Sequence, residues 1–332
     1  MTLPNFLPKN ALGRGRNLGL LITLVACLVG ISIFSPKYLS IDNLLVVALQ
    51  VSFVGIAAIG TAYLIIGGSV DLSIGSQYAL CAVASAMLAR SMPPPLAWIA
   101  GIALGAALGL VNGLMVWRIH ISPIIITLGT LTIFRGVALR VTNGFGVRGV
   151  PKSFSWFGQT VWLGIPMPVW VLAVLALVAH VVLLYTRQGR HLFAFGGNRE
   201  AAEAAGIDGK RLLVICFALN GALVGTSAVL AASRFGTAAP TFGAGFELDV
   251  IAAVILGGVV FTGGEGSIVG VLLAVVLLGV INSGLISIGI DPHYAQMVKG
   301  LALVIAVTLD QLTQEQQERH RKKLASQERA AT

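Results

Sequence analysis

Hydrophobic residues along this chain are gathered in long runs that are separated by short polar connections. A helix needs about 20 apolar residues to cross the hydrocarbon core of a bilayer. About ten runs approach that length, at residues 17–34, 44–66, 71–90, 95–117, 123–141, 166–185, 212–232, 249–261, 267–287 and 295–310. The pattern predicts an all-α, polytopic membrane protein with about ten transmembrane helices in one transmembrane domain over residues 1–332.

The second and third runs are joined by a polar stretch, GGSVDLSIGS, at residues 67–76. Its two glycines end a helix at low conformational cost, and Ser69 or Asp71 can accept the free N–H groups at the start of the next helix. An unsatisfied backbone group in hydrocarbon costs several kcal/mol. We therefore interpret Asp71 and Ser73 first as structural groups, and a gate or a solute-facing position is the alternative.

A later segment repeats this pattern. IAAIGTAYLIIGGSVDLSIG, beginning at Ile56, resembles IAAVILGGVVFTGGEGSIVG, beginning at Ile251: each has an apolar run, a GG pair, an acidic residue and then Ser-Ile. Transporters often contain internal repeats with broken helices in corresponding positions. The similarity predicts helices broken near the GG pairs, and chance similarity between two glycine-rich apolar segments is the alternative.

Composition and charge agree with a membrane protein. Hydrophobic residues make up 56% of the chain and charged residues 11%, against roughly 25% charged in an ordinary soluble domain. The net charge of +9 does not indicate nucleic acid, because most of the lysines and arginines fall in predicted inner segments. This excess follows the positive-inside rule. It places both termini in the cytoplasm, together with a basic tail at residues 311–332.

The sequence lacks the patterns of an enzyme. The run GFGVRG at residues 144–149 matches the dinucleotide fingerprint GxGxxG, but that fingerprint functions only between a strand and a helix of a βαβ unit, and this run follows a predicted span. The phosphate-binding loop, zinc-protease, CxxC and serine-hydrolase patterns are missing as well. We therefore predict no enzyme activity, no cofactor and no metal.

Small residues recur every four positions through the fourth run. They are Gly101, Gly105, Gly109 and Gly113. Glycines at this spacing line one face of a helix and let two helix backbones approach closely in lipid, where van der Waals contact replaces the hydrophobic effect. They predict helix packing within the chain, with an interface between two subunits as the alternative.

A predicted inner loop at residues 186–211 contains a short helix. Asn198 is a good N-cap, Gly206 suits the position after the C-cap, and REAAEAA between them favours a helix of about 10 Å. Two turns are too few to be stable alone in water, so this helix must dock onto another surface. Glu200 and Glu203 give it a compact polar face. A loop that rests on its own subunit is the alternative.

Three stretches together resemble a known family. GGSVDLSIGS, AFGGNREAAEAAGI, and GAGFELDVIAAVILGGVVFTGGEGSIVG followed by GVINSGL are similar, in order over residues 44–310, to the permease subunits of ribose-type monosaccharide ABC importers. The resemblance implies a second permease subunit, expected as a homodimer, a separate ATP-binding subunit with two nucleotide-binding modules, and an extracytoplasmic sugar-binding protein. It also implies that residues 196–206 are the coupling helix for the ATPase. The coupling residues are Gly196, Gly197, Asn198, Glu200, Ala201, Ala202, Glu203 and Gly206.

The resemblance implies import of a monosaccharide or related small polyol across the bacterial cytoplasmic membrane. A secondary transporter or facilitator that works without an ATPase is the alternative. Polar residues within or at the ends of spans are candidates for the pathway or its gate. They are Asp71, Ser73, Asn112, Arg135, Asn220, Glu247, Asp249 and Asn282, with Gln50, Gln296 and Lys299 as further polar positions. We expect Arg135 either to pair with an acid such as Asp249 or to line the pathway.

Overall fold

The computed structural model describes residues 14–119 and 121–291, together with residues 294, 297, 300 and 301. Most of the predicted tenth span and the whole of the predicted basic tail at 311–332 lie outside the described residues. Within the described part, the elements are α1 Arg14–Phe34, α2 Ile41–Ile66, α3 Ile74–Leu88, α4 Pro94–Ile119, α5 Pro123–Thr142, a 3₁₀ turn Lys152–Ser155, α6 Trp156–Gln159, β1 Val161–Trp162, β2 Ile165–Pro166, α7 Met167–Tyr185, α8 Arg187–Gly197, α9 Arg199–Ala204, α10 Gly209–Phe235, α11 Phe246–Leu256 and α12 Ile268–Ser287.

Seven described helices are long and apolar enough to cross a membrane. They are α1, α2, α4, α5, α7, α10 and α12. The predicted third and eighth spans contain α3, with 15 residues, and α11, with 11 residues, and at 1.5 Å per residue both are shorter than the hydrocarbon core. The helical, polytopic class is confirmed. The count of about ten crossing helices is not.

The two GG pairs end their helices in the same way. After α2, Gly68 has a φ of +73°, and after α11, Gly258 has a φ of +90°. In each case the N–H of this glycine donates to the carbonyl oxygen of the second-last helix residue at 2.8 Å. The N–H of the following residue donates to the carbonyl oxygen one position earlier in the helix, at 2.9 Å after α2 and 3.1 Å after α11. This is the Schellman arrangement, which satisfies the free carbonyls of a helix end. The internal sequence similarity therefore has a counterpart in backbone geometry.

The glycine face of α4 packs against α10 of the same chain. A Cβ atom at Gly105 would overlap the Gly221 carbonyl oxygen, and one at Gly109 would overlap the Phe217 carbonyl oxygen. Gly101 and Gly113 likewise lie close to α10, next to the side chain of Val229 and the backbone of Val214. Only glycine permits this approach, which brings α10 into the centre of the bundle beside α2, α3 and α4.

We expect Gly109→Ala to destabilise the protein by roughly 1–3 kcal/mol, because the added methyl group has a backbone carbonyl as its neighbour and the helices must separate. Thermal unfolding of the purified protein in detergent measures this as a fall in Tm. Gly136→Ala on α5 is the matched control, since nothing lies within 4 Å of its Cβ position. Equal melting temperatures for the two variants would contradict close packing of α4 on α10.

Candidate functional site

A cluster of buried polar side chains lies in the middle of the bundle, and we call it the Asp71 centre. Its members come from α2, the α2–α3 connection, α3, α4 and α10, and each is fully buried. They are Thr61, Asp71, Ser73, Gln77, Asn112 and Asn220. Four of the predicted pathway candidates therefore meet in one place, away from any surface of the described chain.

The Asp71 carboxylate is surrounded by neutral donors. Oδ1 accepts from the backbone N–H of Ser73 at 2.8 Å and from its hydroxyl at 2.6 Å. Oδ2 accepts from the side-chain amide of Gln77 at 2.8 Å, while the amide nitrogens of Asn112 and Asn220 lie 3.4 and 3.5 Å from it. A buried carboxylate is costly unless it is hydrogen-bonded. These donors supply that compensation at the start of α3.

Further hydrogen bonds join the surrounding helices to one another. The Ser73 hydroxyl accepts from Gln77 at 2.7 Å and from Asn112 at 2.8 Å, and Thr61 donates to Asn220 at 3.2 Å. The remaining amide oxygens, Gln77 Oε1 and Asn112 Oδ1, are buried without a hydrogen-bond partner among the described residues. The centre thus connects four helices and keeps two spare acceptors.

Arg135 on α5 binds the connection between α10 and α11. Its Nη1 atom donates to the backbone carbonyls of Pro240 and, at 2.9 Å, Phe242, and its charge is attracted by Glu247. One carboxylate oxygen of Glu247 is buried without a hydrogen bond among the described residues. The acid beside Arg135 is therefore Glu247, whereas Asp249 lies at a cleft on another side of α11.

That cleft, the α2–α11–α12 cleft, has a volume of about 160 Å³. Three polar side chains line it, one from each helix: Gln50, Asp249 and Asn282. Its other walls are aliphatic or glycine, namely Val51, Val54, Ala253, Val275, Leu278 and Gly279. Two predicted pathway candidates, Asp249 and Asn282, are therefore brought together here, apart from the Asp71 centre.

The predicted short helix is present as α9. The Asn198 side chain accepts from the N–H of Ala201 at 2.9 Å at the helix start. At its end, Gly206 has a φ of +82°, and the N–H of Ile207 closes the turn on the Ala202 carbonyl at 3.0 Å. Both features were expected from the sequence, because they depend on residues within one or two turns of each other.

The helix α9 has one buried and one exposed face. Ala202 is 4% exposed and faces the protein, whereas Glu200, Ala201 and Glu203 are exposed. Two carboxylates separated by small residues therefore project away from the described chain. One face of α9 thus packs within the subunit, and the other is open to solvent or to another macromolecule.

The base of α9 is α8, a helix that the sequence analysis did not predict. Phe195 on α8 is buried against Gly209 at the start of α10. Gly196 packs on the end of α2 so closely that a Cβ atom would overlap the Ile66 carbonyl oxygen and lie 2.6 Å from the N atom of Gly264. Gly264 in turn donates to the Ile66 carbonyl at 2.8 Å. The α8–α9 segment is thus seated on the helix break of α2.

Two arginines bind the two GG breaks. Arg199, the first residue of α9, donates to the carbonyl oxygen of Gly68 at 2.7 Å, and its guanidinium lies 5.3 Å from the centre of the Phe195 ring. Arg16, near the start of α1, donates to the carbonyl oxygen of Gly258. Gly68 belongs to the same connection as Asp71, so α9 is joined through one hydrogen bond to the backbone that carries the buried centre.

Comparison with known proteins decides the family. The family model described as "Branched-chain amino acid transport system / permease component" matches residues 43–307. The chain belongs to this permease family. The match begins two residues inside α2 and continues past the end of α12. It therefore includes the elements that form the Asp71 centre, the cleft and the α8–α9 segment.

Several curated proteins are similar to this permease along most of their length. The ribose import permease protein of Escherichia coli strain K12 is 37% identical over 295 residues, which cover 87% of the permease and 92% of the relative. That of Bacillus subtilis strain 168 is 38% identical over 298 residues, covering 89% and 92%. The galactose/methyl galactoside import permease protein of E. coli K12 is 36% identical over 314 residues, covering 89% and 94%. No solved structure shows a significant match.

These relatives confirm the resemblance to ribose-type permeases that the three sequence stretches indicated. Three features of the permease were not predicted: α8, the contact of Arg199 with Gly68 and the contact of Arg16 with Gly258. The Arg16 contact joins residues that are 242 positions apart, and no local pattern connects them. The glycine pair at 196–197 was a usable signal, because adjacent glycines at a helix end often mark a close backbone contact.

We expect Asp71→Asn to leave the permease folded, with a loss of stability of about 1 kcal/mol, whereas Asp71→Leu costs several kcal/mol. The asparagine amide can donate to the spare oxygens of Gln77 and Asn112 after their amides rotate, but leucine leaves several buried donors unpaired. Membrane abundance and Tm in detergent measure the difference. If Asp71→Asn unfolds the protein as completely as Asp71→Leu does, then the charge itself is required.

Proposed function

We propose that this permease is the membrane-spanning subunit of an ATP-binding cassette importer in the bacterial inner membrane, and that it moves a monosaccharide or related small polyol into the cell. The support comes from relatives whose names specify import of ribose and of galactose or methyl galactoside, together with one named for D-allose transport. All are small polyhydroxylated solutes. A ribose-like sugar is the narrower proposal within this class.

The exposed acidic face of α9 is the observation that carries this proposal. A transporter without a motor of its own needs a surface through which a separate ATPase can act, and the sequence contains no nucleotide-hydrolysing motif. The seating of α8 and α9 on the α2 break supplies a firm surface for such contact. The proposed coupling set is Gly196, Gly197, Asn198, Glu200, Ala201, Ala202, Glu203 and Gly206.

The proposed partners follow from the similarity to importer permeases. They are an ATP-binding subunit with two nucleotide-binding modules, an extracytoplasmic sugar-binding protein and a second, identical permease subunit within the lipid bilayer. Arg16 and Arg199 bind the GG breaks at the same end of the bundle as α9. Because basic residues favour the cytoplasmic side, this supports a cytoplasmic position for α9 and for the start of α1. A cytoplasmic C-terminus is also part of the proposal, and it lies outside the described residues.

The seating of α9 also suggests how ATP-driven movement reaches the spans. A shift of α9 displaces Arg199 and the α8 end, which are bound to Gly68 and packed on Ile66. Those residues lead directly into the Asp71 centre, where four helices share hydrogen bonds. A packed element with two discrete arrangements can convert a small displacement into a change of access. We place the coupling route along this connection.

Reconstitution in proteoliposomes tests the proposed function. We expect uptake of D-ribose or D-galactose only when the permease, its ATP-binding subunit, the sugar-binding protein and ATP are all present. Omitting any one of these components should reduce uptake to the leak rate of empty vesicles. Uptake by the permease alone at the full rate would overturn the proposal and would instead indicate a facilitator.

A further inference from the structure

The α2–α11–α12 cleft presents polar groups at a place where lipid would otherwise be expected. Gln50 is exposed, although it lies within the apolar helix α2, and Asp249 and Asn282 are half-buried. Exposed aliphatic side chains such as Val46 and Leu248 lie on the same helices. Carboxylates and carboxamides at membrane depth face an aqueous cavity or a partner rather than hydrocarbon. The polar groups of the cleft therefore face an aqueous cavity or a partner.

The cleft lies toward one end of the bundle. At 1.5 Å per residue, Gln50 is about 14 Å from the start of α2, Asp249 about 5 Å from the start of α11, and Asn282 about 8 Å from the end of α12. The break in α2, to which α9 is bound, lies at the opposite end of that helix. In the orientation proposed above, the cleft belongs to the outer half of the permease. A solute arriving from outside meets it before it reaches the Asp71 centre.

The chemistry of the lining matches a polyhydroxylated solute. An ionised carboxylate accepts hydrogen bonds from hydroxyl groups, and a carboxamide both donates and accepts. Asp249, Gln50 and Asn282 together offer both roles around one space. Val51, Val54 and Leu278 provide aliphatic walls for the C–H faces of a small sugar. A volume of about 160 Å³ is suited to one such molecule rather than to a peptide or a lipid.

We propose that this cleft is a transit site that binds the hydroxyl groups of the imported polyol, with Gln50, Asp249 and Asn282 as the contacting residues. This inference rests on the proposed function and assigns its solute contacts. None of the described residues that line the cleft is aromatic, so it lacks the stacking surface that strengthens the binding of a sugar ring. Weak, hydrogen-bonded contact lets a solute pass on quickly, which suits a permease that receives its solute from a binding protein.

Replacement of the two amide side chains by an apolar residue tests the cleft in the complete proteoliposome system. Gln50→Leu and Asn282→Leu should each lower ATP-driven uptake of D-ribose or D-galactose about 5- to 20-fold, the effect of one lost hydrogen bond in the rate-limiting complex. ATP hydrolysis stimulated by the binding protein should stay within about twofold of wild type, because assembly is unchanged. Thr132→Val, at an exposed position on α5, is the matched control. Unchanged uptake in both leucine variants would overturn the inference.

A second measurement does not depend on the ATPase. In the full-length permease with Cys27→Ser, the remaining native cysteines, Cys81 and Cys216, are buried. Val54→Cys, on the aliphatic wall of the cleft, should then react with a water-soluble maleimide, and D-ribose, D-allose or D-galactose at millimolar concentration should slow the reaction at least threefold. Sodium chloride of equal osmolality should not. Equal slowing by salt and sugar, or slowing by neither, would overturn the inference.

The two measurements separate this inference from the proposed function. Protection of Val54→Cys by sugar without ATP-driven uptake by the wild type would support the cleft and contradict the importer. ATP-driven uptake that is unchanged in the leucine variants, without protection by sugar, would support the importer and overturn the cleft.

Discussion

Reversing the charge of both exposed carboxylates of α9, in a Glu200→Lys, Glu203→Lys double variant, is expected to lower ATP-driven uptake about 100-fold or more. Each side chain projects away from the chain, so the substitution leaves the packing of α9 unchanged. Juxtaposed like charges in a protein interface cost several kcal/mol, and about 3 kcal/mol corresponds to a factor of more than 100 in affinity. Uptake by reconstituted vesicles, with co-purification of the ATP-binding subunit, measures the effect.

Three controls make this result specific. The Glu200→Gln, Glu203→Gln variant removes the charges without reversing them and should show an intermediate loss. Glu265→Lys reverses one carboxylate, half of that charge change, at an exposed position in the connection before α12 and should retain most of the uptake. Membrane abundance and Tm should match the wild type in all variants. Normal uptake by the double lysine variant would show that α9 is not the site at which the ATPase acts.

Two neighbouring glycines are expected to respond very differently to the same substitution. Gly196→Ala should abolish uptake to within the background of the assay, whereas Gly197→Ala should leave it within about twofold of the wild-type rate. A methyl group at Gly196 would overlap the Ile66 carbonyl oxygen and lie 2.6 Å from the Gly264 nitrogen. Both of these atoms belong to backbone, which cannot rotate aside. Overpacking of this kind costs typically 1–3 kcal/mol, and here it displaces the segment that bears α9.

The comparison with Gly197→Ala shows whether any alanine at the end of α8 lowers uptake, or only one that collides with α2. The nearest atom to a Cβ at Gly197 lies at 3.9 Å, an ordinary van der Waals contact. Both variants should insert into the membrane at wild-type abundance, since the spans are unaltered. Limited proteolysis should cleave the α8–α9 segment of Gly196→Ala at least tenfold faster than that of Gly197→Ala, because the seating on α2 is lost. Equal uptake by the two variants would contradict the described seating.

Features set by local physics were predictable from the residues. The apolar runs gave the helical membrane class, because an apolar run of about 20 residues crosses the bilayer as a helix whose backbone groups are hydrogen-bonded within the run. The α9 helix, with Asn198 at its start and Gly206 after its end, was also predictable, because both caps bond to groups within the same short segment. The glycine spacing of α4 predicted a close helix contact, although it did not specify α10 as the partner.

The hydrophobic pattern overestimated the length of the helices in the third and eighth predicted spans. The runs at 71–90 and 249–261 have the apolar composition of crossing helices, but Asp71, Ser73 and the GG pairs divide these regions into shorter helices and connections. A hydropathy average does not reveal such breaks, because it depends on composition and not on the path of the backbone. The breaks are tolerated because side chains and neighbouring backbone satisfy the freed polar groups.

The residues alone established a helical membrane protein with a capped acidic helix in a polar loop, because those properties depend on composition and on neighbours within a turn or two. Tertiary structure alone decided which polar residues meet: Asp71 with Asn112 and Asn220, Arg135 with the Pro240 carbonyl, and Gln50 with Asp249 and Asn282. These partners are far apart in the chain. Their contacts follow from how whole helices pack, and that depends on the fit of many side chains at once.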